Sequence, residues 1–322
     1  MKLGVFAVLF ADKPFEEMLD HIKSLGLETV EIGTGGYPGN AHCNPAELLA
    51  DESKLKAFQH AVESRGLTIS SLSCHGNALT PDREFAERCH QDFLDTVRLA
   101  EKLGVEVVTT FSGTPGAYEG AKAPSWPVAP WPNEHAEILK WQWEEKLIPY
   151  WKEAGKFASD HNVKIALELH GGFLVHTPAT LLKLREAVGD VIGANVDPSH
   201  LWWQGIDPVA AIKILGKRNA IHFFHAKDTY IDQENVNMHG LLDMQSYANM
   251  QDRAWIFRSV GYGHDLKVWS DIISALRTVG YDGAVSIEHE DGLMSIDEGF
   301  SRAVSNLQQV LIKDPVPDMW WL

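Results

Sequence analysis

Ile192-Gly193-Ala194-Asn195-Val196-Asp197-Pro198-Ser199-His200 is a short apolar run that ends in a carboxylate, is stopped by a proline, and passes a histidine three residues on. Charged side chains are seldom fully buried unless they are paired or bind metal, so an aspartate at the tip of a buried strand asks for a partner. The same construction occurs three more times. Ile165-Ala166-Leu167 leads to Glu168, Ile221-His222-Phe223-Phe224 leads to His225, and Ala284-Val285-Ser286-Ile287 leads to Glu288.

Outward from these four strands, the chain alternates regularly. Short apolar or β-branched runs predict strands at 3–10, 29–32, 67–73, 105–111, 164–168, 192–196, 220–225 and 284–288. Longer 3.6-period segments with caps predict helices at 14–25, 45–64, 82–103, 134–160, 178–188, 208–215, 265–279 and 296–311. Pro149 marks a place for a kink in the long helix. The strands at 164–168, 220–225 and 284–288 are apolar on both faces, as parallel strands covered on both sides should be. Eight right-handed βα crossovers close most simply into a single (β/α)8 TIM barrel, here spanning 1–312. A doubly wound open sheet is the alternative, but no GxGxxG follows a strand. Two long loops follow strands four and seven, at 112–133 and 228–264, and loops longer than ~12–15 residues are commonly functional. Residues 313–322 form a tail expected at an interface, because Trp320 and Trp321 suit a covered surface.

In a barrel of this kind the active site lies at the C-terminal ends of the strands. Neighbouring strands are only ~5 Å apart, so Glu168, Asp197, His225 and Glu288 can converge. Three carboxylates and an imidazole suit Mn²⁺, Mg²⁺ or Co²⁺ better than a thiolate-seeking ion. Without a cation or a proton the three negative charges would repel one another. His200, three residues past Asp197, can orient a ligand, donate to a substrate or bind a second metal. Period-two alternation keeps His170 on the side of Glu168, which makes it a candidate acid or base. Lys227 shares the side of His225 and can stabilise an oxyanion. His75 ends strand three and can line the pocket, while His289 should face away from Glu288. Trp126 and Trp131 are candidate platforms for a sugar ring.

Glu168, Asp197-Pro198-Ser199-His200, His225-Ala226-Lys227-Asp228 and Glu288-His289-Glu290 resemble the xylose isomerase-like barrel superfamily of sugar isomerases and epimerases. The resemblance covers nearly the whole chain. It implies one divalent ion, Mn²⁺ above all, held by Glu168, Asp197, His225 and Glu288. It further implies proton transfer beside the carbonyl of a sugar or 3-oxo-sugar through an enediolate, with the two glutamates or nearby residues moving the proton. One departure is Ile231, at the position where ketohexose 3-epimerases carry an arginine six residues after the metal histidine. The long loops and Gly35-Gly36-Tyr37 also resemble the branch containing the larger subunit of bacterial C-glycoside deglycosidases. Those enzymes cleave 3-oxo-glycosides by proton abstraction and elimination, a reading in which His170 is the leading acid/base and a small partner subunit is expected.

Composition narrows the partners. The 322 residues are 45% apolar and 22% charged, ordinary for a folded soluble chain. A formal charge of −16 opposes nucleic-acid and anionic-membrane surfaces. A DNA-repair endonuclease on the same barrel is therefore disfavoured, and the Asp-x-His pair it would need after the seventh strand is missing from the sequence. A non-catalytic interaction protein is the remaining alternative class. Cys43, Cys74 and Cys89 form no CxxC pair and read as reduced thiols of a cytoplasmic protein. A small-molecule sugar or glycoside substrate and an oligomer, with itself or with a small subunit, complete the expectations.

Overall fold

Ten strands carry the architecture of the computed structural model, which describes residues 1–314 and 321. They are β1 (Lys2–Phe6), β2 (Thr29–Gly33), β3 (Thr68–Ser73), β4 (Val107–Thr110), β5 (Lys164–Glu168), β6 (Ile192–Val196), β7 (Ile221–Ala226), β8 (Asp228–Ile231), β9 (Trp255–Arg258) and β10 (Ala284–Ile287). Eight of them close a parallel barrel in the order β1-β10-β7-β6-β5-β4-β3-β2, and β8 and β9 form a separate antiparallel ribbon. This is the (β/α)8 barrel the alternation predicts.

The helices form for local reasons. Arg83–Leu103 starts where the Asp82 side chain accepts from Phe85 N–H and stops at Gly104, whose φ of 69° lies in the left-handed region. Of Phe85, Cys89, Phe93, Val97 and Ala100, which helical spacing puts on one face, the last four are buried and Phe85 is half-buried at the first turn. Burying each large apolar side chain stabilises the fold by ~1.5–3 kcal/mol, so the continuous core between strands and helices holds the wall in place.

Inside the barrel the residues stack in layers by strand parity. Val107, Ala166, Phe223 and Ala284 make a small apolar floor. Two residues further along their strands stand Thr109, Glu168, His225 and Ser286, so the polar chemistry sits above that floor.

Several boundaries differ from the sequence reading. The first strand ends at Phe6, and Ala7–Phe10 turn into a 3-10 helix. The predicted helix 45–64 is two, Pro45–Ala50 and Glu52–Glu63, because Asp51 adopts extended backbone and caps the second. The predicted helix 134–160 contains a π-helical stretch, Gln142–Leu147, just ahead of Pro149, which can supply no N–H to Glu145. The segment 228–264, read as a loop, contains the β8–β9 ribbon and the helix Gln233–His239. Of the tail expected at an interface, 315–320 and 322 lie outside the described residues. The three cysteines are buried and unpaired. Among the described residues no helix is long and apolar enough to cross a membrane.

Candidate metal centre

Glu168, Asp197, His225 and Glu288 do converge at the C-terminal mouth of the barrel. Each offers one ligand atom, and the four atoms lie within 4.8 Å of one another. His225 Nδ1 is 3.0 Å from Glu288 Oε2 and 3.4 Å from Glu168 Oε2. Asp197 divides its work between its oxygens. Oδ1 accepts from Ser199 N–H at 2.8 Å and caps the helix Pro198–Trp202, while Oδ2 faces the cluster. Asp197 Oδ2 and His225 Nδ1 are buried and make no well-formed hydrogen bond among the described residues, with charged neighbours, Lys227 and Glu288 respectively, at 3.2 and 3.0 Å. Once deprotonated, these two buried atoms, aimed at one point, are what a cation satisfies.

The charge balance agrees. Glu31, Glu168, Asp197 and Glu288 bring four carboxylates into the same small volume, against the ammonium of Lys227 and the imidazole of His225. Burial pushes Asp197 up, Glu288 and Glu168 push the same way against Lys227, and its pKa reaches about 7. Burial alone would push His225 down, but the carboxylates of Glu31, Glu288 and Glu168 outweigh it and hold it well above the usual imidazole range. Glu168 is held well below the carboxylate range despite burial, by the neighbouring imidazoles of His200, His225 and His75. The donor set of three carboxylates and one imidazole therefore fits a hard or borderline divalent ion.

Lys227 is fully buried at the heart of the cluster. Its Nζ lies 2.9 Å from Glu288, 3.0 Å from Glu290 and 3.2 Å from Asp197. Burial opposes its charge, but these carboxylates keep its pKa well above the usual lysine range, so it is a permanent cation of the site.

The predicted histidines take distinct places. His200 Nε2 is 3.2 Å from Glu168 and 3.4 Å from Asp197, and its Nδ1 accepts from the indole N–H of Trp203 at 3.4 Å. An indole nitrogen only donates, so neutral His200 carries its proton on Nε2 and acts as a donor rather than a metal ligand. Burial, with the neighbouring His170 and Lys227, holds His200 well below the usual imidazole range. The triplet Glu168, His170 and His200 is likewise close enough to suggest a second ion. The tautomer of His200 leaves that triplet short of a ligand.

His170 lies just beyond the end of β5 in a tight turn closed by its own N–H to Glu168 O at 2.9 Å. It still reaches the cluster, with its ring centroid 3.9 Å from that of His200. Its Nδ1–H donates to Gly171 O, which leaves Nε2 with a lone pair, and burial lowers its pKa. His75 Nε2 is 3.0 Å from Glu168 Oε2, with the ring between Phe6 and Phe111. His289 does face away from Glu288, packing under Gly299.

The tryptophans differ from each other. Trp126 packs edge-on against His176 and Trp203 and belongs to the aromatic wall beside His200. Trp131 is 78% exposed on the long loop. The aromatic side of the mouth is built instead by Phe111 and Phe173, stacked at 4.2 Å, and by Phe257, whose ring lies 4.7 Å from Lys227 Nζ. Glu288 is the least covered ligand, at 13% side-chain exposure, and half-exposed Glu290 stands beyond it, so the opening lies on that side. A cleft of about 460 Å³ on the flank, lined by Arg83, His90, Tyr118, Lys146 and Tyr150, includes none of the four ligands.

Two positions in contact with the cluster escaped the sequence reading. Glu31, in mid-β2, meets His225 Nε2 with both oxygens. Its only local signal is a carboxylate inside the run Thr29-Val30-Glu31-Ile32. Asn195, one alternation before Asp197, donates to Glu168 Oε2 at 3.3 Å.

Comparison with known proteins places this geometry in context. The model of the xylose isomerase-like TIM barrel family matches residues 19–309. The uncharacterized protein YfiH of Bacillus subtilis (strain 168) is 40% identical over 315 residues, 97% of this chain and 99% of its own. The inosose isomerase of Halalkalibacterium halodurans is 28% identical over 216 residues, 65% of this chain and 69% of that protein. The solved 3-keto-D-glucoside 4-epimerase YcjR of E. coli superimposes with a TM-score of 0.64 at 13% identity, covering 96% of this chain and 99% of that one, a likeness of fold.

Proposed function

The chain belongs to the xylose isomerase-like TIM barrel family, and on that premise we propose that it is a divalent-metal-dependent isomerase or epimerase of a sugar or oxo-sugar. The observation that carries the reading is the convergence of Glu168, Asp197, His225 and Glu288, whose ligand atoms lie within 4.8 Å of one another. A relative named as an inosose isomerase and a neighbour named as a 3-keto-D-glucoside 4-epimerase support the substrate class. The four residues would hold the ion, with Mn²⁺ the best match to an oxygen-rich set with one imidazole. When bound, such an ion supplies Lewis-acid polarisation of a carbonyl and its neighbouring hydroxyl, which acidifies the C–H between them.

The chain's own groups then account for the proton. His170, neutral and with Nε2 free, and Glu288, at the opening, are placed to take and return it. Lys227 and the Nε2–H of His200 are the positive and donating groups beside a developing oxyanion. Return of the proton to the other face of the same carbon gives an epimer, and return to the neighbouring carbon gives an isomer. A second outcome, elimination from a 3-oxo-glycoside, is favoured by one observation. Exposed Tyr247 stacks on Phe257, which itself lies over Lys227, so aromatic surface for an aromatic aglycone stands beside the cluster.

The test is Mn²⁺-loaded protein in D₂O with a panel of ketohexoses, inososes and 3-oxo-glucosides, followed by NMR. Deuterium should enter at the carbon beside the carbonyl and be lost in Glu288→Gln. Aglycone release would select elimination. Protein that binds Mn²⁺ yet gives neither exchange nor release across the panel would overturn the reading.

A further inference from the structure

We propose that Glu31 is the positioning residue of the metal centre, fixing the tautomer and plane of His225 so that Nδ1 presents a lone pair to the cation. The inference rests on the metal reading above. Glu31 is fully buried on β2, on the far side of His225 from the other carboxylates. Its oxygens lie 2.9 and 3.0 Å from His225 Nε2. Ser286 donates to the same carboxylate at 2.6 Å, Thr109 at 3.1 Å, and Ser73 completes the cradle. An ionised carboxylate only accepts, so it selects the tautomer with hydrogen on Nε2.

The competing tautomer matters because of where Nδ1 points. That atom is 3.0 Å from Glu288 and 3.4 Å from Glu168. With hydrogen on Nδ1, the imidazole would donate to those carboxylates and close the cluster without an ion. Glu31 works against that state, and Phe6, stacked on the ring at 5.7 Å, with Phe223 at its edge, holds the plane. A histidine whose outer nitrogen is bonded to a carboxylate is also a more basic ligand. Because Mg²⁺ gains less from an imidazole than Mn²⁺ does, Glu31 should raise the preference for Mn²⁺.

The experiment is titration of wild type, Glu31→Gln and Glu31→Ala with Mn²⁺ alone, reading free Mn²⁺ by electron paramagnetic resonance, with Mg²⁺ competition and thermal melts in parallel. The dissociation constant for Mn²⁺ should rise ~10–100-fold in the variants, and that for Mg²⁺ by less. Folded variants that bind Mn²⁺ as wild type does would overturn the role of Glu31 alone. Wild type that takes up no Mn²⁺ would overturn the metal reading itself. Should both variants fail to fold, ¹⁵N NMR of the wild type loaded with Mg²⁺ decides. Hydrogen on Nε2 of His225 supports the assignment, and hydrogen on Nδ1 overturns it.

Discussion

Asp197 belongs to two structures at once, and a single substitution separates them. Asparagine caps helices as well as aspartate does, so Asp197→Asn should keep the helix Pro198–Trp202 and change stability by less than ~1 kcal/mol. It removes the charge facing the cluster, and Mn²⁺ affinity should fall by more than ~10-fold, read by calorimetry beside a thermal melt. The pH dependence of binding has a definite sign. Asp197, with a pKa raised to about 7, and His225, held well above the imidazole range, must both lose protons before an ion is held. Affinity for Mn²⁺ should therefore rise with pH and drop steeply below about pH 7, and a flat profile between pH 6 and 8 would contradict the site. His170→Gln should retain Mn²⁺ and lose ~10²–10⁴ of the deuterium exchange. The four converging residues were legible because each ends an apolar run, where a charge has no structural reason to be. Glu31 was not, since its meaning depends on Ser73, Thr109 and Ser286 from three other strands, which no local pattern links to it.

The insert after β7 is legible only in part. Its length signalled function, but Asp228–Ile231 and Trp255–Arg258 are four residues each and pair across more than twenty intervening residues, so periodicity had little to act on. What fixes this insert is Asp228. Its Oδ2 accepts from Gly261 N–H, Gly263 N–H, His264 N–H and the indole of Trp269 at 2.9–3.1 Å, and its Oδ1 from Thr229 N–H and His264 Nδ1. Gly263 is required there, because a Cβ would lie 2.3 Å from Thr229 O. The ribbon places Phe257 over Lys227, so the anchor and the roof of the site are one element. In Asp228→Asn an amide nitrogen replaces one acceptor and faces a donor. The cost should be ~1–3 kcal/mol, with faster amide exchange at 259–264 and Mn²⁺ affinity retained. Exchange rates equal to wild type would show that the ribbon is held by its apolar contacts instead.

Across the whole molecule the two ends of the barrel answer to pH differently. At the N-terminal end His222 packs over Gly193, its Nδ1 3.1 Å from Ile165 O, and burial lowers its pKa from 6.5 to about 4. The unfolded chain takes up this proton below pH 6.5 and the folded chain does not until about pH 4. Stability from this group is therefore complete above pH 6.5 and declines as the pH falls toward 4, by up to about 3 kcal/mol. His222→Asn should flatten that part of the pH–stability curve measured by denaturant unfolding. The alternation of eight strands and eight helices made the barrel legible, because repeated crossovers admit few closures. Its layered interior was legible only through parity. The location of Glu31 has a wider consequence. All four proposed cation ligands belong to the C-terminal half-barrel, whereas Glu31, proposed to set the histidine, comes from the N-terminal half. Exchanging N-terminal halves between relatives would thus leave the coordinating atoms in place and retune their ion preference, so the two halves can diverge as separate modules of inheritance.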